Sequence, residues 1–446
     1  MIATQKERTR FGRSRRETVS RAAQADLRVK ERKFDPIETL RSAAEGRVRQ
    51  LLPIKYARMK VSPFAFFRGA VSIMAADLGR LPHSGLTVQL CGDAHVQNLG
   101  SFAAPDGSLV FDLNDFDETI RGPWEWDVKR MAVSIVLAGG ESGHARPRCK
   151  DAAETFAACY CRSIRAFANL PILQVARRQI HRQERIRPIH AALRQSERAR
   201  PSDLLQKFTE QHKGQPRVRD LRPGFWRVRG KQAREVLDSL ASYREILSPD
   251  RRHLFDLFRP IDVGFKVVGT GSVGLRNYVV LFEGNGALDP MFLQIKQEMP
   301  SAYAQWLPDG VYPHQGRRAA EGQRAVQPIS DLLLGWTSIG EHQYLVRQLN
   351  DHKGSIDLEK LRGGGLESLA QVAGELLARG HARSGDACEI SGYCGAGSKV
   401  TRALRDFAGQ YADQTDADYA AFLAAIKQGQ IKVAETGGER RGLNRR

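Results

Sequence analysis

Cys91-Gly92-Asp93-Ala94-His95-Val96-Gln97-Asn98, followed by Val110-Phe111-Asp112-Leu113-Asn114-Asp115-Phe116-Asp117, is the most informative stretch of this chain. An Asp and an Asn five residues apart precede an apolar, strand-like run and then an acidic cluster. Phosphoryl transfer needs such groups: a carboxylate to orient or deprotonate an acceptor hydroxyl, and an Asn and a later Asp to hold Mg2+ against a triphosphate. Asp93, on a loop after a strand, is the expected catalytic carboxylate. Asn98 offers a neutral oxygen for the metal. Asp112 and Asp115 are the expected acidic ligands. Asp112 ends an apolar strand and Asp115 lies one strand-face repeat on; the choice between them, with Asp117 close by, stays open. Acids this close repel one another unless a cation sits among them. His95 reads as a structural residue of the loop, and Cys91 lacks a paired base.

A second half-site lies downstream. Gly269-Thr270-Gly271-Ser272-Val273-Gly274 leads into Asn277-Tyr278-Val279-Val280-Leu281-Phe282, a β-branched and aromatic run. A dinucleotide-binding loop has to open a helix instead. Strand, Gly loop and strand make a hairpin whose backbone N–H groups can approach phosphate oxygens, with Gly269, Gly271, Ser272 and Gly274 as the expected contacts. Met291-Phe292-Leu293-Gln294-Ile295-Lys296 ends an apolar strand on a Lys suited to the α- and β-phosphates. Glu321, on the next helix, is its expected carboxylate partner. Arg347 and Asp351 lie on or near a further strand, beside an adenine pocket or on a solvated edge.

The 446 residues are 41% hydrophobic and 27% charged, an ordinary globular composition with room for two or three domains. No apolar run approaches the roughly 18 residues that span a bilayer, and the basic start shows no secretory signal. Six scattered cysteines form no CxxC pair, so neither a zinc site nor a disulfide framework is expected. A reduced, cytoplasmic protein without membrane contact is the plain expectation. The net charge of +19 gathers in the first 33 residues, in 177–229 and in the tail. Such a field attracts polyanions, nucleic acid included, although no RNA-binding or zinc-finger signature accompanies it.

The expected organisation is a basic flexible arm over 1–35, a mostly helical lobe with the catalytic loop over 36–250, a β-rich nucleotide lobe over 251–352, and a helical segment over 353–446 that completes the first lobe. Trp124 to Ala138 reads as a helix ended by Gly139-Gly140. Helices continue from 150 to 245 with a break at Gly214-Gln215-Pro216. His381-Ala382-Arg383-Ser384-Gly385-Asp386 reads as a polar loop.

Cys91 to Asn98 with Phe111-Asp112 resembles the H-G-D-x-H-x-x-N … I-D signature of aminoglycoside and choline phosphotransferase-like enzymes, with Cys91 in place of the first His. Residues from about 50 to 430 resemble a bacterial family, domain of unknown function family 2252. The matching pieces include Leu52 to Met59, Ser62 to Gly69, Phe111 to Thr119, Gly122 to Arg130, the Gly269 loop and Val346-Arg347-Gln348-Leu349. The first resemblance implies an α+β, two-lobed protein-kinase-like fold that uses ATP and Mg2+ on an unknown small-molecule or protein hydroxyl. In ordinary chains of that kind the Gly loop comes first. Here it follows Asp93 by about 175 residues, so the expected fold is circularly permuted, which requires the original ends to be close and the new ends exposed. A basic nucleic-acid-associated protein and a nucleotide-binding pseudoenzyme without turnover are the competing expectations, and nucleotidyl transfer is the competing chemistry.

Overall fold

The computed structural model describes residues 3–28, 32–178, 187–198, 201–286, 289–349 and 354–434. It is an α+β chain built on two main apolar cores, one mostly helical and one behind an antiparallel sheet. No helix among the described residues is long and apolar enough to cross a membrane.

The helical core centres on Trp124–Glu141. Residues 124 through 139 of this helix are all buried, as expected of an element surrounded on every side. Against it or its neighbours pack Arg146–Ala168, Gly365–Ser384 and Ser398–Lys427. The C-terminal helices therefore share a core with helices roughly 200 residues or more upstream. Two antiparallel pairs sit at its edge: Thr87–Leu90 with Ile120–Pro123, and the hairpin Leu99–Ala103 with Leu109–Leu113.

The helix carries a buried cation, Lys129, whose ammonium lies 4.5 Å from the Phe407 ring centre. Burial pulls its pKa from 10.5 down to about 8, against the pull of Glu125. Below pH 8 both folded and unfolded chains carry the proton, and the fold bears the full cost of the buried charge. Between pH 8 and 10.5 only the unfolded chain keeps it, so this group's contribution to stability improves as pH rises. Lys129→Met is therefore expected to melt higher than wild type at pH 7. The gap should narrow as pH approaches 10 in paired thermal denaturations.

The sheet has six antiparallel strands in the order Gly335–Ile339, His342–Gln348, Pro290–Glu298, Asn277–Glu283, Arg259–Lys266, Phe225–Arg227. Strand alternation sorts the side chains. Val280, Phe282, Leu293 and Ile295 face the helix Gly230–Glu245 through Val236, Leu240 and Tyr243. Val279, Leu281 and Phe292 face Phe208 and Val218 on the other side. Helix Gln315–Val326 lies between the sheet and the helical core, touching His342–Gln348 and Gly365–Ser384.

Several expectations need correction. The basic arm contains a helix, Gln5–Thr18, with a capping box of Thr4 and Glu7. It packs on Ala387–Cys394 so closely that a Cβ on Gly12 would stand 1.8 Å from the Glu389 carbonyl oxygen. Arg16 donates to the carbonyls of Tyr393 and Gly392, where the end of a helix presents unpaired acceptors. Within 150–245, residues Thr209–His212 and Gln215–Val218 form a hairpin and Phe225–Arg227 an edge strand. Helix Gly230–Glu245 shares the sheet's core, so the sheet region begins ahead of residue 251. Gly139-Gly140 do not stop their helix, which runs to Glu141. His381 to Ser384 form the last turn of a helix rather than a loop, and His381 is buried.

Candidate active site

The loop after Thr87–Leu90 is clamped by backbone contacts. Asp127, on the first turn of Trp124–Glu141, accepts the N–H groups of Cys91 and Gly92 at 2.7 and 3.0 Å. His381 lies 3.4 Å from Asp127 and is itself bonded to the Tyr160 hydroxyl at 2.8 Å. Ser134 accepts the N–H of Val96. Gly92 has φ +83°, and a Cβ there would meet the Glu118 carbonyl at 2.1 Å. Only glycine fits.

Asp93 is held by Arg130, whose Nε donates to Oδ1 at 2.7 Å. Another nitrogen of that guanidinium donates to the Phe67 carbonyl, and the group lies over the Phe67 ring. His95 stands 3.6 Å from the other Asp93 oxygen. Burial pushes the His95 pKa down to about 4, against the pull of Asp93, so the imidazole is neutral at pH 7. The Asn98 amide donates to the carbonyls of Asp93 and Asp115 at 3.1 and 3.0 Å. Its oxygen accepts the N–H of Asn114. Asn98 therefore ties the two acidic loops together.

The acidic residues divide. Asp112 is wholly buried and pairs with the equally buried Arg379 at 2.5 Å. It does not line the cavity, so the expectation of Asp112 as a ligand facing the nucleotide is corrected: strand Leu109–Leu113 continues past it and turns it inward. Asp115 and Asp117 do line the cavity. The Lys296 ammonium contacts both oxygens of Asp117 and lies 3.6 Å from Asp115. Ser272 of the Gly loop donates to Asp117 at 2.7 Å. Burial works to raise the Asp117 carboxyl, but the Lys296 charge outweighs it and holds the group well below the usual carboxylate range.

Glu321 is not the partner of Lys296. It pairs with Arg317 one turn away, on a half-exposed face. The helix contributes a different residue, the buried Arg318, which donates to the main-chain carbonyls of Asp117 and Met299 at 2.8 Å each. Arg347 bonds Gln294 on the neighbouring strand at 3.0 Å and reaches the Asn114 carbonyl. Asp351 lies outside the described residues.

The Gly loop joins strands Arg259–Lys266 and Asn277–Glu283 as an antiparallel hairpin. Gly269 and Gly274 take φ +63° and +93°. The short N-terminal helices pin its carbonyls: Arg58 bonds that of Gly269, and Arg47 those of Gly271 and Val273. The Val48 N–H bonds that of Gly274. Gly274 sits against Arg47, off the cavity.

Between these parts lies a cavity of about 930 Å³. Asp93, His95, Asn98, Asp115 and Asp117 form one wall; Gly269, Gly271, Ser272 and Glu298 form another; Arg47, Lys55 and Arg68 close it from the N-terminal helices. Glu298, two residues past Lys296 on the same strand face, has both carboxylate oxygens buried without partners. Burial, then the charge of Asp117, pushes its carboxyl well up. The cavity cations and Arg130, Asp127 and Arg318 carry only a weak sequence signal: several stand among other charges on helices, and no motif singles them out. Among the described residues no three His, Cys, Asp or Glu side chains form a metal cage. Mg2+ needs none, because it keeps waters and shares substrate phosphates.

A cleft of this build, on a mixed helix and sheet framework, places two acidic loops opposite a Gly-loop hairpin; the strand lysine Lys296 is buried against Asp117 behind the wall and does not itself line the cavity. The chain belongs to the family described as uncharacterized proteins conserved in bacteria (DUF2252), whose model matches residues 47–425. No curated protein and no solved structure matches it.

Proposed function

We propose that this cleft catalyses ATP–Mg2+-dependent phosphoryl transfer to a hydroxyl acceptor, on a two-lobed kinase-like fold with permuted order. One observation carries the reading. Lys296 and Ser272 converge on the carboxylate of Asp117, 179 and 155 residues away in sequence. Packing alone does not call for a lysine and a Gly-loop serine on one partly buried carboxylate beside a large cavity. A triphosphate site does.

Asp115 and Asp117, with the oxygen of Asn98, are the residues that would hold Mg2+. The donor set suits a hard cation, and Asp115 Oδ1 is buried without a hydrogen-bond partner. The metal would supply charge neutralisation. Lys296 and Gly269 to Ser272 would hold the phosphates. Asp93, fixed by Arg130, would receive or orient the acceptor's proton. Positioning and charge complementarity would supply most of the rate. All six cysteines are unpaired and buried, which supports a reducing, cytoplasmic setting.

Asp93→Asn keeps the shape but removes the proton acceptor. The expected result is unchanged thermal stabilisation by ATP–Mg2+ with nucleotide turnover reduced about 10²-fold or more. If turnover survives in Asp93→Asn, Asp93 has no such role. If wild type binds nucleotide and never turns it over, the pseudoenzyme reading takes its place. The nucleic-acid reading draws less support, because arginines of the N-terminal arm such as Arg8, Arg15 and Arg16 are engaged within the fold.

A further inference from the structure

The N-terminal helices bring two cations to the cavity that the scheme above leaves unused. Arg68 lies in the last turn of helix Pro63–Gly69. This helix is docked on the Asp93 loop just ahead of Arg68: Phe64 packs edge-on to His95, and the Phe67 carbonyl accepts from Arg130, the guanidinium that holds Asp93. The Arg68 carbonyl stands 3.5 Å from where a Cβ on Gly271 would lie. Arg68 thus occupies the seam between the catalytic loop and the Gly loop.

Its guanidinium makes no polar contact and lies 5.9 Å from the centre of the Phe64 ring. Nε is buried without a partner, and no hydrogen bond or ion pair joins the side chain to any described residue. Three of the cavity carboxylates already have cations: Asp93 has Arg130, and Asp115 and Asp117 share Lys296; Glu298, whose carboxyl burial pushes well up, makes no polar contact. Lys55 is buried beside it, and its single hydrogen bond is a long one, 3.4 Å to the Gly271 carbonyl. An unpaired guanidinium on the cavity wall, with a buried amine on the same wall whose pKa burial pushes well down, is completed by a bound anion, which would neutralise the first and charge the second.

We propose that Arg68, supported by Lys55, contacts the non-bridging oxygens of the phosphoryl group in transfer, so that the helix Pro63–Gly69 supplies a transition-state contact in cis. This rests on the phosphotransfer reading. As the acceptor oxygen bonds to the γ-phosphorus, the bond from that phosphorus to the nucleoside diphosphate breaks. The acceptor proton passes to Asp93, and the diphosphate leaves with the bonding electrons. The group in flight spreads its charge over three outer oxygens. An uncommitted planar guanidinium matches them.

Binding of ADP–Mg2+ to the full chain, with and without aluminium fluoride as a mimic of the group in transfer, tests this by calorimetry. Wild type is expected to bind the fluoroaluminate complex about 100-fold or more tighter than ADP–Mg2+ alone. Arg68→Ala should keep its ADP–Mg2+ affinity and lose most of that gain, and Arg68→Lys should recover part of it. Arg68→Gln, which keeps the aliphatic stem, serves if the alanine variant does not fold. Undiminished tightening in the Ala or Gln variant overturns the assignment and leaves the nucleotide reading intact. So does a wild type that binds ADP–Mg2+ with no tightening at all. Absence of any ADP–Mg2+ binding removes the nucleotide reading itself, and this contact with it.

Discussion

Arg379→Met is expected to destabilise the protein by about 3–5 kcal/mol, the cost of leaving a buried carboxylate without its cation. Both members of the Asp112–Arg379 pair have no exposed side-chain surface. Without Arg379, Asp112 Oδ1 keeps only the N–H of Leu113. The pair is also incompletely satisfied: Asp112 Oδ2 and Arg379 Nε and Nη1 have no partners. A buried pair of this kind contributes little over apolar residues of the same shape, but removing half of it is costly. The double variant Asp112→Leu with Arg379→Met should therefore recover at least half of the single variant's loss. Urea denaturation of the two single variants and the double one measures this directly. A cost below about 1 kcal/mol for Arg379→Met would show that water reaches the pair.

Lys296→Met is expected to weaken ATP–Mg2+ binding by about 100-fold or more, about 2.7 kcal/mol. The ammonium is the cation shared by Asp115 and Asp117, and in the proposed function it would be the group that meets the phosphates. Its removal also leaves the partly buried Asp117 with no opposite charge in contact. In wild type the depressed Asp117 pKa adds stability that is present above the unfolded value near 4 and is lost as pH falls below it. In Lys296→Met that contribution disappears at neutral pH, so the variant should melt lower at pH 7 and approach wild type in acid. Thermal shifts across pH, with and without ATP–Mg2+, separate the two effects. Equal nucleotide stabilisation in both proteins would remove Lys296 from the site.

How far the cleft could be read from sequence follows from which residues answer to local constraints. Gly92 and Gly269 take positive φ, a local demand that a glycine in sequence can signal, and the sequence does place Asp93 directly after such a glycine at the end of a strand. The choice among Asp112, Asp115 and Asp117 depends on where strand Leu109–Leu113 ends. One residue more of strand turns Asp112 inward to Arg379, a partner 267 residues away. Glu321 was misread because helix spacing sets it equally well against Arg317, and only the docking of the helix decides. The hairpin at 209–218 was misread as helix because its polar residues show no strand alternation. The arm was misread as frayed because its partner, the end of Ala387–Cys394, lies at the other end of the chain.

The most direct measurement is a crystal structure of the full chain with Mg2+ and a nonhydrolysable ATP analogue. The account requires the triphosphate to lie between the Gly269–Ser272 loop and the Asp115–Asp117 loop, with Lys296 on its phosphates and Asp93 facing the terminal one. An analogue bound on another surface, or a cleft that stays empty at millimolar analogue, would contradict it.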